Sequence, residues 1–516
     1  MTVGSKLGIL LGPICGMCLG YGMLELTRVP EAEIVTEGLL YVLLSIYIVC
    51  GAMILGGLII GRSPQRVLCQ DIAWRLRVSA DLLTGQNRDK GSWRESQNLL
   101  QKGALPLLTN VKLSGMEKIW APEILNRLRQ ASLHAFSCLA LSRMAVTQIG
   151  WKEITQNEGA AKIAQAMRDM AEIFERGDIA VGPKVEVGAN EGEKHPALQE
   201  ISEQLQVFSE QSKVPFPQAP KTGFILPGAF HSPENYRFAT KGTLAVAIAS
   251  CLYLGLDWGG IHTCVITCFL VGLPTVGEMV SKQAARIGGT LLGSVFVFWG
   301  MIYAIPHFTN IAQILLLVGA GFLASGWLKS GPERFSYFGF QVTVVLALSE
   351  LGKNGPSFDL TTPRDRIIGI WIGLMITYII FTRLWPTSSV TRLPPEFQKC
   401  FSALERQFAS EDRIMRLFWA SAAQGAIGGA RNFLQDAKAE RRALRSSANR
   451  LKTIGKALNQ AQKLMETLLL PPTDERTLYA ERQKKNLKRL LDEAELLSIP
   501  GKAPATEDFR KNPAPT

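Results

Sequence analysis

The amino-acid sequence predicts an all-α polytopic membrane protein with about eight transmembrane helices, two followed later by six, and two cytoplasmic helical regions. Three observations support this prediction. Uncharged apolar segments are long enough to cross a bilayer, arginines cluster on one side of them, and the segments between the membrane blocks have helical periodicity. The hydrophobic residues, 47% of the 516 in the chain, are concentrated in blocks rather than spread evenly as in soluble domains.

The N-terminal membrane segment, residues 1–62, contains the first two predicted spans. Residues 7–24 and 38–61 carry no charge, and each is long enough to cross a hydrocarbon core of about 30 Å as a helix. Lys6 before the first span resembles the start of a secretory signal peptide, but no convincing small-residue cleavage site follows it. We therefore predict that the first span is retained.

Basic residues predict the orientation of the chain. Four arginines follow the second span closely, whereas the loop before it holds four glutamates and one arginine, so the positive-inside rule places the next segment in the cytoplasm. Residues 63–213 have apolar residues three and four apart, which predicts a cytoplasmic helical domain, and residues 214–236 form a proline-rich connector. Such flanks explain the net charge of +12, and no zinc-ligand or aromatic-basic pattern indicates a nucleic-acid partner.

Residues 237–386 form the second membrane block, which charges and turn residues divide into six spans: 242–256, 259–277, 287–306, 311–328, 335–350 and 367–385. The first, fifth and sixth of these are short between charges. Short spans are typical of transport sites, although lysine and arginine can also reach the headgroups from helix ends, and both interpretations stay open. Six crossings return the chain to the cytoplasm, where residues 387–498 predict a second helical domain and residues 499–516 a disordered tail.

A repeated motif combines arginine with closely spaced glycines. The pattern RxxGxxxG occurs at residues 286–293 and again at residues 366–373. Because GxxxG removes side chains from one stripe of a helix, another backbone can approach that stripe closely within the membrane. The predicted helix-packing residues are Gly289, Gly293, Gly369 and Gly373. By span parity, the two arginines of the motif are expected on opposite sides of the membrane.

Charged side chains accompany both copies of the motif. Glu278, Lys282 and Arg286 are four residues apart, so they share one face of a helix. An unpaired charge at the bilayer centre costs about 3 kcal/mol, so we expect such groups to be paired, interfacial or facing a wet cavity. Two hypotheses stay open, an interfacial set of salt bridges and an anion-binding or proton-relay site lined by guanidinium groups. The candidate transport or coupling residues are Arg286, Arg366, Arg364, Asp365, Glu278, Lys282, His262, Glu333, Arg334 and Asp359.

His262 lies just inside a predicted span, behind Asp257 and Trp258. A histidine at this position could titrate near neutral pH and relay protons, or it could be a helix-start residue bonded to the backbone, and both interpretations stay open. Trp258 and Trp385 are predicted interfacial anchors, since tryptophan is enriched at the headgroup level.

The sequence lacks the motifs of common enzymes and of ATP-driven pumps. We find no GxxxxGK[ST] loop, no HExxH and no GxSxG. The five histidines are scattered and form no zinc set, and most of the nine cysteines lie in apolar spans, where cysteine packs as a small hydrophobe. We therefore expect no enzymatic activity, no catalytic residue, no cofactor and no metal, and any transport to be passive or driven by an ion gradient.

Several motifs between about residues 230 and 390 resemble a known family. LDWGGIHT, RIGGTLLGS, IPHF, GPERFSYFGFQ, DLTTPRDRIIGI and RLWP are similar, in this order, to motifs of the fusaric acid resistance (FUSC) or aromatic acid exporter family, most closely its MdtO-type multidrug efflux branch. The resemblance implies a proton-driven efflux component of the bacterial inner membrane that exports aromatic carboxylates or drugs. It also implies a periplasmic membrane-fusion adaptor and an outer-membrane channel as partners. It does not assign roles to individual charged residues.

The first membrane block is shorter than the family pattern. Members of this family commonly have two six-span blocks, whereas only two spans precede the first cytoplasmic domain here, so we expect about four spans to be absent and a homo-oligomer to complete the pathway. Our leading hypothesis is a secondary efflux subunit for anionic aromatic or drug-like amphipathic molecules. A passive anion channel and a non-transporting membrane scaffold stay open as alternatives.

Overall fold

The computed structural model describes residues 32–85, 91–116, 120–180, 182–183, 185, 195–210, 233–331, 333–350, 360–441, 444–494 and 496. Regular secondary structure within these ranges is helical throughout, which confirms the all-α prediction for them. We number the helices α1 Ala32–Ile60, α2 Pro64–Thr84, α3 Gly91–Lys102, α4 Leu105–Met116, α5 Pro122–Ile149, α6 Trp151–Ile154, α7 Glu158–Arg176, α8 Pro196–Gln206, α9 Pro233–Gly255, α10 Thr263–Val271, α11 Val276–Trp299, α12 Ile311–Lys329, α13 Glu333–Glu350, α14 Thr361–Arg383, α15 Leu393–Ala409, α16 Arg413–Ala439, α17 Ala448–Thr467 and α18 Asp474–Glu493.

The chain divides into two compact units. The described residues of the first unit fall within Met1–Cys50, Ala219–Thr391 and Gln435–Arg445, and those of the second within Gly51–Gln218, Arg392–Leu434 and Ser446–Thr516. The predicted six-span block, 237–386, therefore lies in the first unit. The two predicted helical domains, 63–213 and 387–498, both contribute to the second unit, and the boundary between the units falls inside α16.

The first unit contains most of the helices suited to a membrane. By length and composition α9, α12, α14 and the stretch Val276–His307 can each cross a bilayer, and the last of these continues α11 through a π-helical turn, Gly300–Ala304, and a 3-10 turn, Ile305–His307. A fifth candidate is the bent pair Tyr47–Ile60 and Pro64–Thr84, whose two parts meet at 57°. The chain is thus a multi-pass membrane protein with four or five candidate spans among the described residues.

The sequence predicts about eight spans, which is more than the four or five candidates among the described residues. The first predicted span, 7–24, lies outside the described residues. Two others, 259–277 and 335–350, correspond to the short apolar helices Gly259–Val271 and Phe335–Ala347. Of the three spans expected to be short, only 335–350 corresponds to a short apolar helix; the first and sixth correspond to α9 and α14, which have 23 residues each.

Buried charges explain where the predicted helix boundaries are wrong. One predicted span starts at residue 242, but α9 begins at Pro233 and runs through Lys241, whose buried ammonium donates to the carbonyl of Trp385 at 2.7 Å. Likewise α11 begins at Val276, before the predicted span start at residue 287, and it contains the predicted helical face of Glu278, Lys282 and Arg286. A charged side chain that has partners inside the fold does not end a helix, whereas the prediction used charges as boundaries.

Local sequence signals set several helix ends. The side chain of Ser63 accepts a hydrogen bond from the backbone of Arg66, and Pro64 occupies the first helical position of α2. Gly85 ends α2 with a φ of 66°, a left-handed conformation that favours glycine. Asn310 caps α12 in the first unit in the same way as Ser63 caps α2.

The core of the second unit forms around α2. This helix packs against α5 and α7, and Leu68, Ile72 and Leu76, each four residues apart, are fully buried on its inner face. Further along the chain, α17 packs against α18. The second unit thus has its own apolar core, as expected of a compact domain.

Candidate functional site

Arg286 lies buried among the membrane helices of the first unit. It is on α11 and only 2% exposed. Its guanidinium donates to the hydroxyl of Tyr337 on α13 at 3.3 Å and to the hydroxyl of Thr267 on α10 at 3.2 Å. Its Nε atom has no hydrogen-bond partner among the described residues. Three helices therefore meet around a cation that is held by neutral hydroxyl groups.

Lys282 lies one helical turn before Arg286 on α11. Its ammonium donates to the carbonyl of Leu270 at 3.0 Å and lies 4.9 Å from the centre of the Tyr337 ring. Leu270 is in the last turn of α10, where the negative end of the helix dipole stabilises a cation. Tyr337 therefore contacts both cations, with its ring against Lys282 and its hydroxyl against Arg286.

We call Lys282, Arg286, Thr267 and Tyr337 the Arg286 cluster. Polar groups continue from it along the interface between α11 and α13. The amide of Gln341, one turn after Tyr337 and fully buried, donates to the hydroxyl of Thr290 at 3.1 Å. The side-chain oxygen of Gln341 has no partner among the described residues. The interface thus presents a row of polar groups about two helical turns long.

The electrostatics of the Arg286 cluster favour an anion. Within the part of the chain that the structure describes, no carboxylate forms an ion pair with Lys282 or Arg286. Two cations one turn apart repel each other, and burial strengthens that repulsion because the surroundings screen it poorly. A buried charge is stabilised by a paired opposite charge, so an anion here would find a guanidinium with an open donor.

Close glycine contacts bring the helices of the cluster together. A Cβ at Gly289 would lie 2.7 Å from the carbonyl oxygen of Phe338 on α13, and one at Gly293 would lie 3.0 Å from Cβ of Val345. In the second motif copy, a Cβ at Gly373 would lie 2.6 Å from the carbonyl oxygen of Cys264 on α10. Gly369 is equally tight, against the backbone of Ile261 and the hydroxyl of Thr263. Each predicted packing glycine therefore faces a neighbouring backbone or side chain that leaves no room for a methyl group.

The two arginines of the repeated motif lie near the same helix. The half-buried Arg366 is at the start of α14, and its backbone carbonyl accepts a hydrogen bond from Thr263 at 2.9 Å. Thr263 and Thr267 are one turn apart on α10, and Thr267 contacts the guanidinium of Arg286. The backbone of Arg366 and the guanidinium of Arg286 thus meet α10 only about 6 Å apart along its axis, which is much less than a placement at opposite membrane faces requires.

Asp365 and Arg364 form a separate polar group at the start of α14. The indole of Trp258 donates to Asp365 at 2.8 Å, and the exposed guanidinium of Arg364 forms an ion pair with the same carboxylate at 2.9 Å. The predicted interfacial residue Trp258 therefore also has a specific carboxylate partner. Since Asp365 already has two partners, its geometry fits a structural role at the helix start.

Glu278 and His262 form hydrogen bonds with residues that are close to them in the sequence. Thr275 caps α11, and its hydroxyl donates to the carboxylate of Glu278 at 2.7 Å while accepting from the Glu278 backbone. This arrangement resembles a capping box, which stabilises a helix start. In His262, Nδ1 lies 2.8 Å from the carbonyl oxygen of Gly259 in the 3-10 turn before α10, as the helix-start hypothesis expects.

The remaining predicted residues lie at the edges of what the structure describes. Asp359 and the side chains of Glu333 and Arg334 fall outside the described residues. Trp385 follows α14 with a positive φ of 39°, and its carbonyl accepts the hydrogen bond from Lys241. Among the described residues, no group of three histidine, cysteine, aspartate or glutamate side chains is arranged to hold a metal ion.

Sequence reasoning missed the partners of Arg286. Thr267 and Tyr337 are 19 and 51 residues away from it along the chain, and neutral hydroxyl residues do not stand out in an apolar span. One signal was available for the helix start, because Thr275-Val-Gly-Glu278 has the spacing of a capping box. That spacing would have placed the beginning of α11 correctly.

Comparison with known proteins gives a family match within the first unit. Residues 244–380 match the family described as fusaric acid resistance protein-like, FUSC_2. This part of the chain is similar to the fusaric acid resistance family. It contains α10, α11, α12 and α13 and most of α9 and α14, and therefore the whole Arg286 cluster.

Curated relatives extend the match beyond the family domain. The chain is 34% identical over 203 residues to the multidrug resistance protein MdtO of Escherichia coli K12 and to that of Shigella flexneri. It is 25% identical over 134 residues, 26% of this chain and 36% of the relative, to the inner membrane protein YeeA of Escherichia coli K12. The MdtO alignments span 39% of this chain and only 30% of the length of those relatives. No solved structure is a significant match to the chain.

Proposed function

We propose that this protein is an efflux transporter subunit of the bacterial inner membrane that exports amphipathic anions, namely aromatic carboxylates or drug-like acids. The observation that carries the proposal is the Arg286 guanidinium, which is buried, bonded to two hydroxyl groups, and without a hydrogen-bond partner at Nε among the described residues. A carboxylate can accept two parallel hydrogen bonds from such a group. Relatives named as multidrug resistance proteins support an export role, and one named as an inner membrane protein supports the location.

The polar row along α11 and α13 suggests how a substrate would move. Lys282 and Arg286 supply positive charge at one end of this row, and Gln341 with Thr290 supplies a neutral polar pair one turn further on. An anion would exchange its water shell first for the cations and then for the amide and hydroxyl. Weak, successive sites of this kind favour passage over trapping.

The glycine contacts suggest which helices move. Because Gly369 and Gly373 hold α14 against α10 while Gly289 and Gly293 hold α11 against α13, the Arg286 cluster lies between two closely packed helix pairs. In our proposal these pairs rock against each other, which opens the cluster to one side of the membrane at a time. The Thr267 hydroxyl bond to Arg286 joins the two pairs.

Energy coupling and partners complete the proposal. We infer that the proton gradient drives export, that the full assembly has about eight spans per chain and is homo-oligomeric, and that a periplasmic adaptor and an outer-membrane channel receive the substrate. Support comes from the family match. Glu278, Asp365 and His262 are the proton-exchange candidates, and each bonds at a helix start rather than to Arg286.

A passive anion channel is the second candidate. It is favoured by one specific observation, which is that no described carboxylate pairs with the Arg286 cluster to exchange protons with it. A channel needs only a cationic path, whereas a coupled exporter needs a group that binds and releases protons during the cycle.

Flux measurements in proteoliposomes test the proposal. The purified chain is reconstituted, and 4-hydroxybenzoate flux is followed with and without a pH gradient and with a protonophore. An exporter concentrates the anion only while the gradient lasts. Flux that is unchanged after the gradient collapses would indicate the channel instead.

Matched substitutions connect the flux to the site. We expect Arg286→Gln to reduce 4-hydroxybenzoate flux at least about ten-fold, since it removes a charge-assisted hydrogen bond, and Arg286→Lys to retain part of it. The control is Arg237→Gln, which removes an exposed arginine from the same unit and should leave flux unchanged. Equal flux in all four proteins would refute the proposed role of Arg286, and flux no greater than that of protein-free liposomes would favour a non-transporting scaffold.

A further inference from the structure

The second unit contains a cavity of about 590 Å³ between α3, α5, α16, α17 and α18. Small-molecule sites in proteins commonly enclose about 300–1,000 Å³, so this space is large enough for a ligand. All of its lining residues belong to the second unit, and none of them belongs to the Arg286 cluster. The proposed transport site therefore does not account for this cavity.

The charged lining of this cavity is mainly cationic. Arg143, Arg431 and Lys463 line it, with Glu466 as the carboxylate among its described lining residues. The two arginines are held in place, since Arg143 lies 3.9 Å above the ring of Trp93 and Arg431 donates to side chains of α17. Even with Glu466 ionised, the lining keeps an excess of positive charge, which attracts an anion.

Gln424 supplies an unsatisfied polar group at the cavity wall. It lies on α16 and is 1% exposed, and neither its amide nitrogen nor its amide oxygen has a partner among the described residues. Burying a side-chain amide without partners is unfavourable. A ligand that presents an acceptor and a donor side by side would pair both atoms of this amide.

We propose that this cavity binds a small organic anion with a planar ring, whose carboxylate or phosphate pairs with Arg431 and Lys463 and whose polar edge pairs with Gln424. Aromatic surface for the ring comes from Trp93 and, at the rim, from the half-exposed Tyr479. None of these residues belongs to the Arg286 cluster, and in our proposal the cavity serves the chain as a ligand-sensing site rather than as part of the proposed transport site.

Glu466 gives this site a distinctive electrostatic signature. Burial raises the pKa of its carboxyl group, while the side-chain amide of Gln462 donates to it. Its negative charge opposes an anionic ligand but would favour a cationic one. Replacement of Glu466 by its uncharged isostere therefore tightens the binding of an anion and weakens the binding of a cation.

Calorimetric titration of the full chain in lipid nanodiscs tests the inference. All proteins carry Arg286→Gln so that the membrane site does not contribute. The probes are 4-hydroxybenzoate for a carboxylate, adenosine monophosphate for a phosphate, and benzamidine as a planar cation. We expect one of the two anions to bind with a stoichiometry of one per chain. The anion that binds shows whether the site recognises a carboxylate or a phosphate.

Three variants and a control make the test specific. Arg431→Gln and Gln424→Leu should weaken the bound anion at least about ten-fold, and Glu466→Gln should tighten it several-fold. Gln424→Leu should also raise the thermal midpoint of the ligand-free protein, because an unpaired amide is removed; a purely structural glutamine would lower it. Arg489→Gln, an exposed arginine outside the cavity, should change nothing.

Two results would overturn the inference. The first is no binding of either anion. The second is binding of benzamidine that Glu466→Gln weakens, since this pattern describes a cation site. Because the readout is binding in a chain that lacks Arg286, neither result affects the proposed transport function.

Discussion

Replacement of Gly373 by alanine tests whether the packing of α14 against α10 supports the Arg286 cluster. The new Cβ would lie 2.6 Å from the carbonyl oxygen of Cys264 and 2.7 Å from Cβ of Thr267. Ordinary contacts between such atoms are about 3.4 Å or more, so α10 must retreat by nearly 1 Å. Overpacking of this kind costs about 1–3 kcal/mol, of which the better helix propensity of alanine recovers up to about 1 kcal/mol. Subtraction leaves a net loss of about 0–2 kcal/mol, and clashes with two atoms favour the upper part of this range.

A second glycine of the same unit provides the matched control. Gly319 lies in α12 with no atom within 4 Å of its would-be Cβ, so Gly319→Ala gains helix propensity without a clash. In thermal unfolding of the detergent-solubilised protein, Gly373→Ala should lower the midpoint by several degrees and Gly319→Ala should maintain or raise it. Because Thr267 moves with α10, Gly373→Ala should also reduce 4-hydroxybenzoate flux. Equal midpoints for the two variants would refute the close packing of α14 on α10.

Three further predictions concern single side chains. Thr275→Val removes the capping hydroxyl bonded to Glu278 and should cost about 1 kcal/mol of stability, measured by thermal unfolding; an unchanged midpoint would contradict the cap. Burial lowers the pKa of His134 to about 4, so between the ordinary value of 6.5 and pH 4 the unfolded chain binds more protons than the folded one. Stability should therefore be full above pH 6.5 and fall by up to about 3 kcal/mol towards pH 4, and subtraction of the profile of His134→Leu should isolate this loss. Gln341→Leu should leave stability within about 1 kcal/mol but reduce anion flux, because it removes the amide bonded to Thr290; unchanged flux would exclude Gln341 from the path.

The sequence was sufficient to predict the all-α fold class and to place Lys282 and Arg286 on the same face of one helix. Helical spacing alone places Lys282 and Arg286 on one face, and the structure has both on α11. The glycine pattern likewise indicates where backbones approach closely. These features are local, since each depends on residues within two turns of one helix.

What the sequence could not provide is the choice of partners between helices. Nothing in the GxxxG pattern says that Gly289 faces Phe338 of α13 whereas Gly373 faces Cys264 of α10. The hydroxyl groups around Arg286 come together only because three helices pack there. The cavity of the second unit likewise forms only where five helices meet. A span end was misplaced where a buried charged side chain has a hydrogen-bond partner inside the fold, as for Lys241.

Discrimination between an anion and its neutral analogue tests the central claim most directly. Proteoliposomes containing the wild-type chain or Arg286→Gln are compared for flux of 4-hydroxybenzoate and of 4-hydroxybenzamide, which has the same shape but no charge. If the Arg286 guanidinium recognises the carboxylate, the wild-type protein should prefer the anion at least about ten-fold, and the variant should lose most of that preference while still transporting the neutral compound. Equal loss of both fluxes, or an unchanged preference in Arg286→Gln, would contradict the account.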